Sequence, residues 1–523
     1  MAGNSRKSNT TTIEMLPEDT LLEIFDIYRL DTMVWSRDGH RWDWLRLAHV
    51  CRRWRDVISI SPHRLDLWIL CQPGGVPIER ILRSWSSVRL IVRFKSSPRR
   101  PNQGSALPAL VPDNIAAALR HWDRICELDL GVTRASAGPI VEVIHEPLQA
   151  LRSIRVTVDN ASGPPILIRN SLLGGSAPHL RELELDGIAF PFPAVQQVLS
   201  STNNLVELNL SNIPNDVYFS PDDLVTTLSS LVHLKSLTIG FHSPASRPRP
   251  PPPGLSITHR PLTTLSSLTH LNFHGASEYL EEFVTQIDPP SLSKLSIKLF
   301  NQILFEIPHF CHQFIPRLKA LASFGLGPGA SSSPTWIFVT HSAESVSVMF
   351  VQEGKPSNEN YCLGTSCRRL DWQLSFVTQI ASQLPPFILS SVHSLSIKKK
   401  KKEKAPSCNN SSEMDSEMRG PSGLSGDFEE HSEDVVDSAQ WLELFQPFRH
   451  LKQIHVWETR FVQGIVEALV TVAEEEGGPP GVVLPELNSL HLSGYRKSPP
   501  AAKAAEEFVA ARRLAGRTVR LIG

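Results

Sequence analysis

The stretch LRELEL, residues 180–185, carries leucine at its first, fourth and sixth positions. Successive side chains of a β-strand point to opposite faces, so its last two leucines would share one face of a short strand. The same apolar spacing returns along the chain. Copies begin at residues 125, 151, 205, 234, 268, 292, 392, 451 and 487, with weaker ones at 85, 318, 343 and 367. Most intervals from 125 to 392 are 24 to 29 residues, which predicts a stacked array of similar units.

The units of this array are too small to bury their own apolar faces, so neighbouring units must stack. The chain between strands would return on the other side of the array, and helical spacing is visible there at 194–201, 278–287 and 461–476. The period and the pattern resemble leucine-rich repeats. The resemblance implies an α/β fold, an irregular solenoid shaped as a horseshoe with a parallel sheet on its concave side.

The N-terminus has a different composition, since six of the eleven tryptophans precede residue 86. The segment IEMLPEDTLLEIFDIYRL (13–30) predicts a helix, with Pro17 in its first turn and acidic residues that complement the helix dipole. Its apolar face is broad. That face consists of Leu21, Leu22, Ile24, Phe25 and Tyr28.

A second helical block is predicted over residues 42–59. It places Leu47, Val50, Cys51 and Trp54 on one stripe, and arginines on the other side. Cys51 is therefore expected to be a small buried residue.

The two blocks, quoted as LPEDTLLEIF (16–25) and LAHVCRRWR (47–55) and followed by a leucine and a tryptophan, resemble the F-box over about residues 13–70. With the repeats behind it, the chain resembles F-box proteins of the type common in mushroom-forming fungi. This resemblance implies that the module binds the small Skp adaptor of a cullin-RING ubiquitin ligase. The residues to which we assign adaptor binding are Leu16, Pro17, Leu21, Ile24, Phe25, Leu47, Val50 and Trp54.

One departure from the F-box pattern is the segment 29–44, which is longer than the usual connection between the first two helices. It is expected to loop out, with Trp35 and Trp42 folded back on the module. If it covered the adaptor-binding face instead, the interpretation as a ligase subunit would be weakened.

Two segments lack a pattern that could bury apolar side chains. Residues 398–438 combine five consecutive lysines with nine acids between Glu413 and Asp437, and are predicted to be a disordered insertion, as is the N-terminus at 1–12. The lysine run is either a nuclear-import signal or a solvated tail. The rest of the chain is predicted to consist of an F-box at 13–70, a solenoid at 85–397, and terminal repeats with a C-terminal helix at 439–523.

Composition argues against several classes of function. The formal net charge is −1, so general nucleic-acid binding is not expected. The seven cysteines have no framework spacing, which suits reduced thiols in the cytoplasm or the nucleus. No apolar run is long enough for a membrane span. We find no catalytic, metal or cofactor motif, and the His309–His312 and Cys362–Cys367 clusters lack zinc spacing, so no enzyme is predicted.

The residues between the buried strand positions would point to the concave side, where solenoids commonly bind their ligands. The early copies place acids there, apart from Arg155, and later copies turn neutral or basic. The residues to which we assign substrate binding are Glu127, Asp129, Glu182, Glu184, Asp186 and Glu207. The later positions include His270, Asn272, His274, Lys294, Lys298, His455, Trp457 and His491. A target with a basic segment is expected, unless these are merely solvated strand residues.

These observations lead to two functional hypotheses. The first is a subunit that recruits a protein substrate to a Skp-cullin-F-box ubiquitin ligase and raises its concentration near the ubiquitin-loaded partner. The second is a leucine-rich-repeat scaffold that engages the adaptor without promoting degradation. Either hypothesis places the protein in the cytoplasm or the nucleus.

Overall fold

The computed structural model divides into two compact units, residues 1–219 with 226–238 and residues 220–225 with 239–523. The residues that the structure describes are 13–35, 45–60, 66–70, 79–84, 89–95, 110–132, 144–158, 166–167, 171–244, 262–318, 335–342, 345–352, 361–367, 369–399, 437–470, 472–473 and 481–523. The predicted tail at 1–12 and most of the predicted insertion, 400–436, lie outside them.

The first unit combines helices with a series of parallel strands. Its helices are α1 (Glu18–Trp35), α2 (Leu45–Val50), α3 (Arg52–Ile60), α4 (Glu79–Ser84), α5 (Leu110–Leu119) and α6 (Phe192–Ser201). Its strands are β1 (Asp66–Leu70), β2 (Arg89–Lys95), β3 (Ile125–Val132), β4 (Ser153–Val158), β5 (Ile166–Leu167), β6 (Glu182–Asp186), β7 (Ile188–Ala189) and β8 (Glu207–Ile213). The main series runs β1-β2-β3-β4-β6-β8 with every neighbouring pair parallel, and β5 pairs with β7. The elements α7 (Pro221–Leu228) and β9 (Ser236–Phe241) cross the division between the units.

The second unit has the same alternation. Its helices are α8 (Ser277–Val284), α9 (Ile315–Arg317), α10 (Leu370–Gln383), α11 (Pro386–Ser391), α12 (Ser438–Phe445), α13 (Val462–Val470) and α14 (Pro499–Leu514). Its strands are β10 (Thr263–Thr264), β11 (His270–Gly275), β12 (Ile287–Asp288), β13 (Lys294–Leu299), β14 (Thr335–His341), β15 (Val346–Gln352), β16 (Tyr361–Thr365), β17 (Val392–Lys399), β18 (Gln453–Val456), β19 (Val472–Ala473), β20 (Gly481–Val482), β21 (Ser489–Leu492) and β22 (Arg520–Ile522). The main series runs β11-β13-β16-β15-β14-β17-β18-β21-β22.

The first leucine of the repeated pattern explains how successive copies stack. Leu151, Leu180 and Leu205 are at most 1% exposed, although each lies before its strand and not in it. The carbonyl of the residue after this leucine accepts hydrogen bonds from backbone amides of the following copy. The Arg181 carbonyl, for example, accepts hydrogen bonds from the amides of Val206 (2.7 Å) and Glu207 (3.0 Å). Buried leucine and shared carbonyl together fix the spacing of the parallel strands.

The predicted α/β class is confirmed at the level of a mixed α/β chain with a large, mostly parallel sheet. The strong copies coincide with β3, β4, β6, β8, β9, β11, β13, β17, β18 and β21. The weak copy at 85 leads into β2, although residues 85–88 are outside the described chain.

The prediction is wrong for two weak copies in the second unit. The segment at 343 leads into β15, but β15 runs antiparallel to both of its neighbours, β14 and β16. The segment that begins at 367 does not form a strand. The strand of that region, β16, ends before Cys367, and α10 begins after it. A hairpin between β14 and β15 reverses the chain here, and the Ser342 amide donates to the Ser345 carbonyl at 2.8 Å. The copy at 318 lies mostly outside the described residues.

Several segment boundaries in the structure also differ from the predicted ones. Residues 66–70, predicted to close the N-terminal module, form β1 and pair with β2. The predicted loop after residue 28 is helical up to Trp35, and 36–44 lie outside the described residues. Lys398 and Lys399, predicted to be disordered, end β17, where the Lys398 ammonium lies 4.9 Å from the Phe338 ring centroid. The aliphatic stem of lysine can cover apolar surface, so Lys398 is compatible with a strand position beside Phe338.

Two predicted helices end early. The helix expected at 278–287 stops at Val284, and Ile287 enters the short strand β12. The helix expected at 461–476 spans only Val462–Val470.

Candidate functional site

The three N-terminal helices separate the predicted adaptor-binding residues into two groups. Leu21, Phe25, Leu47 and Trp54 are buried, and the rings of Phe25 and Trp54 lie 4.9 Å apart at 60°. These four side chains hold α1 to the helices that follow it. They are therefore core residues of the module.

The second group remains accessible. Pro17 is exposed, Ile24 is 37% and Val50 is 59% exposed, and Leu16 is half-buried. Three further apolar side chains that we did not predict are exposed beside them in sequence. They are Ile13 (53%), Met15 (70%) and Ile27 (67%). We call these seven residues the apolar N-terminal surface.

One hydrogen bond connects the beginning of this surface to α3. The Arg53 guanidinium donates to the Leu16 carbonyl at 2.5 Å. Residues 13–17 therefore lie against the start of α3, which follows Val50 in the chain by two residues. The missed residues had a signal in the sequence, because Ile13 and Met15 directly precede Leu16 and Ile27 follows Ile24 at a helical interval.

The expectation for Cys51 is wrong. Cys51 is exposed and lies between α2 and α3, where its sulfur accepts a hydrogen bond from the Trp54 amide at 3.5 Å. The predicted stripe assumed one continuous helix over 42–59. The chain leaves the helical conformation at Cys51, so Val50 and Cys51 turn outward while Leu47 and Trp54 stay buried.

The predicted acidic residues lie on the polar face of the first unit's strands. In the register of β3, β4, β6 and β8, one row contains Glu127, Ser153, Glu182 and Glu207. The next row contains Asp129, Arg155, Glu184 and Asn209, and Asp186 belongs to a third. Glu182 is exposed and the other five acids are half-buried. We call these six carboxylates the acidic face.

Part of this charge is compensated within the face. Arg155 forms an ion pair with Glu184, and its pKa is raised, first by that hydrogen bond and then by the nearby carboxylates. Arg93, which we did not predict, lies 3.4 Å from a Glu127 oxygen. Its position in β2 pairs with Asp129 in register, a relation that only the strand alignment reveals. The uncompensated negative charge of the acidic face is therefore concentrated on β6 and β8.

The remaining acids of the face differ in their contacts. Glu182 accepts a hydrogen bond from Ser153 at 2.9 Å, and Asp186 accepts one from the Asn212 amide at 2.5 Å. Glu207 directly opposes Glu182 across the β6–β8 pair. Like charges at opposing strand positions are unfavourable by themselves, and a cation between them would relieve the repulsion.

The predicted positions of the second unit lie on an equivalent polar face. His270 and His274 of β11 pair in register with Lys294 and Lys298 of β13. Burial, followed by the charges of Lys298 and His242, lowers the pKa of His274 to about 4. This imidazole is therefore neutral at pH 7.

His455 and His491 form a stacked pair on neighbouring strands of the same unit. Their ring centroids are 4.0 Å apart at 14°. Burial, followed by the charge of His491, lowers the pKa of His455 to about 4. Trp457, which follows β18, is 59% exposed, and its indole N–H donates to the Ser396 hydroxyl at 3.1 Å.

Sequence reasoning missed a polar pair formed by the buried His341 and the half-buried Glu458. His341 is 4% exposed, and its Nε2 lies 2.5 Å from a Glu458 oxygen, while Arg460 donates to the other oxygen at 2.8 Å. Burial raises the pKa of Glu458, but the hydrogen bond and charge of His341 and the charge of Arg460 outweigh burial and leave it lowered. No motif in the sequence connects His341 with Glu458, because the two residues are far apart in the chain: His341 ends β14 and Glu458 follows β18.

The cluster at His309–His312 also has a structural explanation. Glu281 accepts hydrogen bonds from the amides of His309 and Phe310, both at 2.9 Å, and from the His309 ring. Cys311 is buried, and burial together with the charge of Glu281 raises the pKa of its thiol to about 12. Such a thiol is protonated at neutral pH and is therefore a poor nucleophile.

Within the described part of the chain, no group of three or more His, Cys, Asp or Glu side chains is arranged to hold a metal ion. Of the helices in that part, none combines the length and apolarity needed to cross a membrane.

The comparisons with known proteins give no guide to these surfaces. No family model matches the chain, and no curated protein matches it in sequence.

Proposed function

We propose that this protein is the substrate-recruiting F-box subunit of a Skp-cullin-F-box ubiquitin ligase. Its N-terminal module binds the Skp adaptor, and its leucine-rich repeats hold a protein target. The observation that carries the proposal is the apolar N-terminal surface. A small helical module that leaves Met15, Ile27 and Val50 more than half exposed, while a separate set of residues forms its core, presents apolar area to a partner.

The division between core and surface supports this assignment. Of the residues that the F-box resemblance assigns to the adaptor, Leu21, Phe25, Leu47 and Trp54 stabilise the module. Leu16, Pro17, Ile24 and Val50 are left for contact, and the missed apolar residues enlarge that area. Apolar residues at the centre of an interface commonly provide most of the binding free energy.

Adaptor binding is tested by placing charge on this surface. The double variant Ile24→Glu/Val50→Glu is expected to weaken capture of purified Skp adaptor by the full chain roughly thirtyfold, the effect of losing a hot spot. Its melting temperature should stay close to that of the parent, because both positions are solvent-accessible. The matched control is Ile303→Glu/Leu304→Glu, which places the same charges at residues that are 89% and 60% exposed in the second unit. Equal capture by both double variants would contradict the proposal.

Replacing Leu16 and Pro17 by alanine provides a second test of the same surface. Capture should be abolished while the repeats remain folded, since only the turn before α1 changes. Circular dichroism reports the fold and affinity purification reports capture. Undiminished capture would contradict the assignment of these two residues.

The acidic face is the proposed substrate site. A basic segment of the target would lie across β6 and β8, where Glu182 and Glu207 oppose each other. Clustered charge of one sign steers oppositely charged partners and helps set the register of binding.

Degradation distinguishes the ligase subunit from a scaffold that engages the adaptor without promoting degradation. Proteins that co-purify with the full chain should include the adaptor and a cullin, and the captured target should accumulate when the proteasome is inhibited. Co-purification without accumulation would favour the scaffold.

A further inference from the structure

The strands of the second unit differ from those of the first in one property of their sequence. The strands β11, β13 to β18, β21 and β22 contain no aspartate or glutamate. They do contain lysine. On the polar face of these strands lie Lys294, Lys298 and Lys398, and we call this surface the lysine face.

A shallow floor of small residues lies between two of these lysines. In register, Lys298 is followed across the strands by Gly364, Ser347, Thr340 and Lys398. Four strand steps separate the two lysines, about 19 Å at the usual spacing between strands. The Thr340 and Ser347 hydroxyls are 2.6 Å apart, and because only one of them donates in this contact, the hydrogen of the other is not used in it.

The floor is held low by Gly364. A Cβ at this position would lie 2.9 Å from the Val346 carbonyl oxygen and 3.2 Å from the Ser347 Cβ. A larger residue would therefore disturb the strand pair and fill the space between the two lysines.

The charge of the two lysines is not neutralised from nearby. Among the described residues, neither Lys298 nor Lys398 has a carboxylate within ion-pair distance. The nearest acid in sequence to the aromatic end of the face, Glu458, is held by His341 and Arg460.

The positive charge of the face helps to lower the pKa values of two neighbouring imidazoles. The charge of Lys298 contributes, after burial, to the lowered pKa of His274, and that of Lys294 contributes in the same way at His270. An anion bound beside these lysines would favour the protonated imidazoles and raise both pKa values.

Aromatic area lies at the far end of the face. Trp457 is 59% exposed, and its hydrogen bond to Ser396 places the indole beside the strand that carries Lys398. An exposed tryptophan with a fixed orientation is a common anchor in protein interfaces.

We propose that the lysine face binds an acidic segment of a partner protein. Its carboxylates lie over Lys298 and Lys398, its backbone crosses the floor of Gly364, Ser347 and Thr340, and an apolar side chain packs on Trp457. A protein segment suits the surface better than nucleic acid, because polynucleotides are usually bound by dense basic patches, whereas this face carries three lysines and the exposed Trp457. This site goes beyond the proposed function and does not depend on adaptor binding.

The test is the fluorescence anisotropy of a labelled dodecapeptide of alternating glutamate and serine with one leucine, titrated with the full chain. The variant Lys298→Glu/Lys398→Glu should bind it about a hundredfold more weakly, the sum of two lost and reversed charge contacts. The control Lys235→Glu/Lys503→Glu has the same net charge but changes lysines outside the face, and should bind like the parent. Trp457→Ala should weaken binding about tenfold.

Nuclear magnetic resonance of the histidine rings provides an independent readout. The pKa of His274 should rise when the peptide binds to the parent and should not move when the control peptide of glycine and serine is added. The proposal is overturned if the two double variants bind the acidic peptide equally, if the His274 pKa does not respond, or if a single-stranded oligonucleotide binds this face more tightly than the peptide.

Discussion

The polar faces of the two units are built on the same type of strand but carry opposite charge. On β3, β6 and β8 the first unit presents Glu127, Glu182 and Glu207, whereas β13 and β17 of the second present Lys298 and Lys398. The buried sides of both sets of strands are occupied by apolar residues. The alternation of a strand fixes the buried side and leaves the other free to vary, so one architecture can carry two unlike surfaces.

The acidic face should respond most strongly to charge reversal. Changing Glu182, Glu184 and Glu207 together to lysine is expected to weaken capture of a basic peptide by about a hundredfold, because attraction becomes repulsion at three positions. Anisotropy with a labelled lysine-serine dodecapeptide measures this effect. Unchanged binding would place the substrate site elsewhere, for example at Trp457.

The reversal can be divided to locate the uncompensated charge. Glu182→Lys/Glu207→Lys should account for most of the loss, since Glu184 is already paired with Arg155. A single Glu184→Lys change that matched the double variant would show that the Arg155 pair does not protect this position.

Removing the internal cation should have a smaller effect of opposite sign. Arg155→Gln is expected to tighten binding of the basic peptide about threefold, because Asp129 and Glu184 lose a compensating charge. Its melting temperature should fall slightly, since the half-buried Glu184 loses its ion pair. Weaker peptide binding would contradict the charge balance described for this face.

Acid should affect the second unit through its histidines. The folded-state pKa of both His274 and His455 is about 4, below the ordinary value of 6.5, so the unfolded chain binds more protons between these values. Stability is therefore lost as pH falls from about 6.5 towards 4. The variant His455→Gln should show a smaller drop in melting temperature between pH 7 and pH 4.5 than the parent. An equal drop would argue against the stacked pair as a source of acid sensitivity.

The sequence predicted the strong copies of the repeated pattern because buried leucines repeat at the same spacing wherever the strands stack in parallel. It failed at β15, where Val346 and Val348 satisfy the same alternation in an antiparallel strand. Alternation reports which side is buried and does not report strand direction. The chain reverses between Ser342 and Ser345, and this reversal decides the direction of β15.

The surfaces were predicted less completely than the strands. The six acids were identified from alternation alone, but Arg93 became part of their face only through the register of β2 and β3. At the N-terminus, helical periodicity identified the apolar residues but could not divide core from surface. The break at Cys51 leaves Val50 exposed while Leu47 and Trp54 are buried, and a single helical stripe over 42–59 does not predict it.

The central claim is that the two faces bind segments of opposite charge independently. The most direct measurement is the affinity of the full chain for the acidic and the basic dodecapeptide in three forms, namely the parent, Glu182→Lys/Glu207→Lys and Lys298→Glu/Lys398→Glu. We expect the first pair of changes to weaken binding of only the basic peptide and the second pair to weaken binding of only the acidic one. If either pair weakened one peptide and tightened the other by a similar factor, net charge alone would explain the binding and the two faces would not be separate sites.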